Sequence, residues 1–275
     1  MTAADEAIGL FGPGSISWRI DRELVVLAGG SCALLMQAAH PAVAAGVAEH
    51  STYATDPFGR LLRTLTSSFD VVFGSRPTAE AAIRRVNAIH ARVHGRLPGD
   101  GARYDAMDPA ALLWVHATLV DTALRMFGRY VAPLSAEEEQ AYHRECLGVA
   151  GMLGVPQDAM PPTIAELRAW MNGMVASGAV RVTPTAREIA STVLYPHRLV
   201  PRLAWDAAHL LSLSMLPEPL RRGYGIRWSP RRERGVERIA GLLRRVLPIV
   251  PRPLRYVPQA RAADRRLRQA LGSAR

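Results

Sequence analysis

The residues of this chain with the most chemical potential are its eight histidines: His40, His50, His90, His94, His116, His143, His197 and His209. His116 stands alone in an apolar run, Leu112-Leu113-Trp114-Val115-His116-Ala117-Thr118-Leu119-Val120. An imidazole in such surroundings must hydrogen-bond or bind a metal. Two readings stand. One is a core histidine satisfied by a hydrogen bond. The other is an axial ligand to a haem iron, which needs a single neutral imidazole projecting from a rigid helix into an apolar slot. A backbone carbonyl one turn back would then fix its other nitrogen.

His90 and His94 lie four apart, a spacing that on a helix places both on one face and could hold a metal. Between them stand Ala91-Arg92-Val93, so the acid of a zinc-protease motif is missing. Arg85 precedes His90 by five residues and points about 140° away on an ideal helix. One of the two can meet a flat macrocycle or its propionates while the other faces a neighbouring helix. His40 and His50 bracket Pro41-Ala-Val-Ala-Ala-Gly-Val-Ala-Glu49, whose small residues admit the close approach of either a helix or a flat cofactor. Cys32 and Cys146 are far apart and form no CxxC, which excludes a disulfide framework and a cysteine-rich metal site. There is no GxSxG, no Walker loop and no GxGxxG after a strand.

Helical periodicity dominates the elements that must position these residues, and the reading is an all-α fold. A helix is expected near Ser17, another over Pro41–Glu49, and a turn at Asp56–Gly59 followed by helix over Arg60–Phe73. The clearest amphipathic helix is expected over Pro77–Gly95, with Thr78 as its cap, carrying Arg84, Arg85, His90 and His94. Asp108 caps the next, with Pro109 at its first position, and that helix runs to about Tyr130. Being apolar on nearly every face around His116, it belongs in the middle of the fold. Further helices are expected from Ser135 to Met152, Thr163 to Val175, Thr185 to Tyr195 and Arg202 to Met215.

The chain has 275 residues and 49% apolar composition, enough to bury a large core. Its 34 basic residues are all arginine and its net charge is +10. That charge is concentrated: residues 221–275 hold 16 arginines against Glu233, Glu237 and Asp264, while the rest of the chain is slightly acidic. Two regions follow, a helical domain over 1–216 and an Arg-rich extension over 217–275 with short basic helices near 239–247 and 260–271. The extension either packs on the body by its aliphatic face or meets an anionic membrane or acidic partner. Nucleic acid is disfavoured, because Tyr224, Trp228 and Tyr256 are too scattered for a stacking platform. No signal peptide is apparent, and Leu24–Met36, interrupted at Gly29-Gly30-Ser31-Cys32, is too short to span a bilayer. The expected location is cytoplasmic, with peripheral membrane attachment as the variant.

An ordered set of motifs runs through residues 10–215. It comprises His40-Pro-Ala-Val-Ala-Ala-Gly-Val-Ala-Glu-His-Ser51, Asp56-Pro-Phe-Gly-Arg60, Arg85-Val-Asn-Ala-Ile-His-Ala-Arg-Val-His-Gly95, Tyr104-Asp-Ala-Met-Asp-Pro109, Leu113-Trp-Val-His-Ala-Thr-Leu119, Gly154-Val-Pro156 and Pro161-Pro-Thr163. In these motifs the chain resembles the catalytic domain shared by bacterial latex-clearing proteins (rubber oxygenases) and the oxygenase MpaB of mycophenolic acid biosynthesis. The resemblance implies a globin-like helical core with additional helices, holding one b-type haem. It implies His116 as the proximal iron ligand and Arg85 as a distal-side arginine, with His40 and His94 as propionate partners or structural contacts. Where the latex-clearing branch offers a lysine and a threonine, this chain has Ala88 and Ile89, so His90 is the nearest polar replacement and rubber cleavage does not carry over. The implied activity is oxygenation of an unsaturated hydrophobic small molecule, prenyl- or lipid-like, by dioxygen, with oxidative C=C cleavage as the reaction. The alternatives are a non-catalytic haem or lipid carrier docked on anionic membrane by the basic tail, and a helical interaction protein whose histidines are structural.

Overall fold

Side-chain caps and N-terminal prolines start most of the long helices. Asp56, Ser75, Asp108, Ser135, Thr163, Thr183 and Ser229 each accept a backbone N–H from the first turn that follows, a contact worth about 1 kcal/mol apiece. The structure, a computed structural model, describes residues 7–99, 101–195 and 201–272. Its helices are α1 (Ile16–Asp21), α2 (Leu24–Leu27), α3 (Gly30–Ala38), α4 (Pro41–His50), α5 (Pro57–Phe73) and α6 (Arg76–His90). A two-stranded hairpin, β1 (His94–Arg96) and β2 (Arg103–Asp105), precedes α7 (Pro109–Tyr130). Then come α8 (Ala136–Met152), α9 (Ile164–Ala176), α10 (Pro184–Leu194) and α11 (Arg202–Leu213). The chain ends in α12 (Glu218–Gly223), α13 (Pro230–Val246), α14 (Arg252–Arg255) and α15 (Pro258–Gly272). The fold is all-α.

α7 is the axis of the molecule. It packs on α3, α2, α8, α9, α13 and α1, and its most apolar window is 72% buried. By length and composition α7 could cross a membrane, as could Leu24–Ala38 joined to α4, a pair bent by 104°. Here α7 serves as a core helix, as apolarity on nearly every face requires. Trp114 donates its indole N–H to the Met36 carbonyl at 2.9 Å and Gln37 reaches Thr118 Oγ1 at 3.0 Å, so α3 is keyed to α7 by polar contacts as well as packing. On another face Arg168 of α9 joins Asp121 of α7 and Glu139 of α8, tying the three helices together.

The Arg-rich tail contributes to the interior. Val236 and Ala240 of α13 enter the main core, while Val257, Ala260, Ala263 and Leu267 join Trp18, Phe69 and Phe73 in a second cluster. The Glu23 carboxylate, only 1% exposed, is gripped by the Arg255 guanidinium at 2.7 Å, and Val257 N–H donates to the Arg22 carbonyl.

Three expectations needed correction. The turn at Asp56–Gly59 is the first turn of α5, because Asp56 Oδ1 caps it on Gly59 N–H at 2.9 Å. α6 is capped by Ser75 instead of Thr78 and stops at His90. Beyond it the Val93 N–H returns to the His90 carbonyl, and His94–Arg96 pair antiparallel with Arg103–Asp105. The cause is tertiary: Tyr104 of β2 donates to Glu49 Oε2 at 2.6 Å, and Gly46 leaves room for Val93, so α4 holds the hairpin in place.

Candidate functional site

His116 sits in the middle of α7 between fully buried Trp114 and Ala117 and is 8% exposed. Its Nε2 is buried and makes no hydrogen bond among the described residues. The reading of a satisfied core histidine therefore lacks its partner. Burial, aided by the nearby His143, pushes the imidazole pKa down to about 4. His116 is thus neutral near pH 7, with a ring nitrogen uncommitted to the protein. That is the state in which imidazole binds a metal.

His143, on α8, is the residue that sequence reasoning missed. Surrounded in sequence by Glu137, Glu138, Glu139, Arg144 and Glu145, it resembles a solvated position, yet it is fully buried. The only signal was helical spacing, which puts His143, Cys146 and Ala150 on one stripe. Its Nε2 lies 2.8 Å from the Pro161 carbonyl. A carbonyl can only accept, so the proton is on Nε2 and the lone pair on Nδ1. That Nδ1 is also buried and without a partner.

Two more imidazoles share this condition. His40 occupies the N-cap position of α4 without capping it, and its Nδ1 is buried and unbonded. Burial lowers its pKa while Asp108, the cap of α7, opposes the shift, which places His40 near the N-terminal end of α7. His90 ends α6 with Nδ1 buried and unbonded, its pKa lowered by burial. Asn87, one turn earlier, donates to the Met152 carbonyl at 2.9 Å, so the ends of α6 and α8 meet. Buried polar groups are almost always paired, so four such imidazoles are an exception that calls for an explanation.

The other candidates are placed differently. Arg85 is exposed on α6 and makes no hydrogen bond or ion pair among the described residues. His94 is exposed on β1 opposite Asp105 and so shares no helical face with His90. Among the described residues no hydrogen bond joins Arg85, His40, His90 or His94 to His116. His50 is exposed beside Glu49 and Tyr104, and His209 bonds Ser31 and the Leu194 carbonyl, the contacts of a structural residue. His197 lies outside the described residues.

Among the described residues no three His, Cys, Asp or Glu side chains come together as a metal cage. A metal held here would take one imidazole from the protein and its remaining ligands from elsewhere, as a macrocycle provides. The donor set of His116 fits such a group. Leu119, one turn along α7, is 51% exposed although most of the helix round it is buried.

Fold and site define an all-α protein built round a helix that carries one neutral, uncommitted core imidazole. Residues 18–245 match the family described as ER-bound oxygenase mpaB/B'/Rubber oxygenase, catalytic domain, and the chain belongs to that family. The match covers the motif-bearing helices and continues into α13. It makes the protein a member of an oxygenase family, an oxidoreductase whose reactants are dioxygen and a small molecule. Neither a curated protein nor a solved structure matches the chain.

Proposed function

We propose that this chain is a b-type haem-dependent oxygenase acting on an unsaturated hydrophobic small molecule, prenyl- or lipid-like, with oxidative C=C cleavage as its reaction. The observation that supports this reading is the buried, neutral and unbonded Nε2 of His116 in a member of an oxygenase family. Haem, when bound, supplies the one-electron and dioxygen chemistry. The protein's part is to hold, orient and dehydrate. His116 would hold the iron, its ring fixed by the close packing of α7 on α3 and α8. Leu112 and Leu113, one turn earlier on the same face of α7, keep water from its surroundings. Arg85, free of any carboxylate, and His40 and His94 are the groups for the propionates. His90, kept neutral by burial, is the polar group α6 offers towards dioxygen or substrate. Ala88 and Ile89 beside it can neither ligate nor donate a hydrogen bond, so contact with substrate there is apolar.

The test is an absorption spectrum of protein produced with a haem precursor, before and after dithionite, alongside His116→Ala. A Soret band that shifts on reduction and is lost in the variant, with far-UV circular dichroism retained, is expected. Full haem occupancy in His116→Ala overturns the assignment.

A second reading, a non-catalytic haem or lipid carrier attached peripherally to anionic membrane, is favoured by one feature. Leu242 and Val246 lie one turn apart at the exposed end of α13, and Ile249 and Leu254 just beyond it are 80% and 72% exposed. Arg244, Arg245 and Arg252 flank them. Apolar side chains rimmed by arginine are the pattern of an interfacial segment. Co-sedimentation with phosphatidylserine vesicles should fall with salt and be lost in Ile249→Asp/Leu254→Asp. Equal binding by that variant, or none by the wild type, removes this reading.

A further inference from the structure

On the other side of α3 from α7 lies a second cleft. α3 packs on α7 and also on α10 and α11, and Tyr224 donates to the Leu35 carbonyl of α3 at 2.7 Å. α10, α11 and the segment 224–228 enclose a cavity of about 360 Å³, within the size range of small-molecule sites. Its lining has two characters. The inner part is apolar and aromatic, with Leu194 and Leu213 buried and Ile226 and Trp228 half-buried. The rim carries four exposed arginines, Arg187, Arg202, Arg227 and Arg232.

Among the described residues none of these four arginines forms an ion pair, whereas Arg19, Arg63, Arg125, Arg129, Arg168 and Arg255 all do. The one carboxylate in the lining, Asp206, accepts the Tyr195 hydroxyl at 2.9 Å. Glu233, next in sequence to Arg232, is taken by Arg129 and by the Trp228 indole. Three of the four guanidiniums are nonetheless held in place. Arg187 Nε donates to the Gly223 carbonyl at 3.0 Å, Arg232 Nη1 donates to the Arg227 carbonyl at 2.6 Å, and Arg202 lies 4.6 Å over the Tyr195 ring. Each of these three contacts leaves further N–H donors of the guanidinium free. Four cations, three of them fixed, face a single carboxylate, Asp206, round one mouth; a planar oxyanion relieves their mutual repulsion while accepting their forked hydrogen bonds.

We infer that this cleft is a second ligand site that takes an amphipathic anion: a carboxylate or phosphate held by the arginine rim, with an apolar chain laid on Leu194, Leu213, Ile226 and Trp228. The assignment rests on the cavity and its charges and is independent of haem.

Isothermal titration of the full-length protein with dodecanoate and with dodecyl phosphate, both below micelle formation, tests it. Dodecanol supplies the tail alone and inorganic phosphate the headgroup alone. Saturable one-site binding of at least one amphiphile is expected, at least tenfold tighter than either control. Arg227→Gln/Arg232→Gln should weaken it at least tenfold. Arg231→Gln/Arg234→Gln, which removes the same charge from exposed positions of α13 outside the cleft, should leave it unchanged. Dodecanol binding as tightly as the anions overturns the arginine half of the proposal, and inorganic phosphate matching dodecyl phosphate overturns the apolar half. Equal affinity in the two double variants reduces the effect to net charge, and absence of saturable binding removes the site.

Discussion

An imidazole that the fold buries but does not satisfy leaves a signature in acid. For His116 the folded pKa of about 4 lies below the ordinary value of 6.5. Above pH 6.5 both folded and unfolded chains keep it neutral. As pH falls from 6.5 to 4 the unfolded chain takes up a proton that the folded one refuses. Stability is therefore lost across that window, by about 3 kcal/mol, and the loss levels off below it. His40, His90 and His143 are lowered by burial too and add losses of the same sign. In haem-free protein, His116→Leu should flatten the fall in urea-unfolding free energy between pH 7.5 and pH 4.5 by about that amount. An acid slope identical to wild type would show that His116 is not the buried base described here. His116 was legible in the sequence because it interrupts a helix apolar all round. His143 was not, because acidic neighbours hid it and only the fold turns it inward.

At the scale of elements, the approach of the α2–α3 junction to α7 depends on one missing side chain. A Cβ on Gly29 would stand 2.6 Å from Thr122 Cγ2 and 2.7 Å from Met126 Cγ, whereas one on Gly30 would meet nothing within 4 Å. Thr122 and Met126 are themselves buried in the core and have little room to retreat. Gly29→Ala should cost about 1–3 kcal/mol by overpacking. Gly30→Ala should be neutral or mildly stabilising, since alanine is the better helix former. Thermal unfolding of the two variants separates them, and equal melting temperatures would mean that the close approach carries no energy.

For the whole molecule, the Arg-rich tail is a structural member. Arg255 neutralises Glu23, which lies between α1 and α2, and the segment after it returns to the Trp18–Phe73 cluster. Removing the guanidinium leaves a buried carboxylate alone, a change that typically costs about 3–5 kcal/mol. Arg255→Ala should therefore destabilise strongly, and adding Glu23→Gln should recover much of the loss. A double variant no more stable than Arg255→Ala would show that packing, and not charge, binds the tail. Loss of the segment beyond Leu220 would also strip Val236 and Ala240 from the core.

The sequence alone determined what is local. Caps, N-terminal prolines and helical periodicity act within a turn or two, so the all-α class and the long helices α7, α8 and α9 could be read directly. So could the isolation of His116 and the ordered motifs of the oxygenase family. Only tertiary structure decided which atoms of different elements meet. The hold of α4 on Tyr104 accompanies the end of α6 at His90 and puts His94 on a strand. The Pro161 carbonyl fixes the proton of His143, and Glu23 anchors Arg255. Among the described residues the four rim arginines form no ion pair, while Glu233 is engaged by Arg129 of α7 and Asp206 accepts the Tyr195 hydroxyl. Pairing of charges and satisfaction of buried polar atoms depend on distance in space, which residue order encodes only through the completed fold.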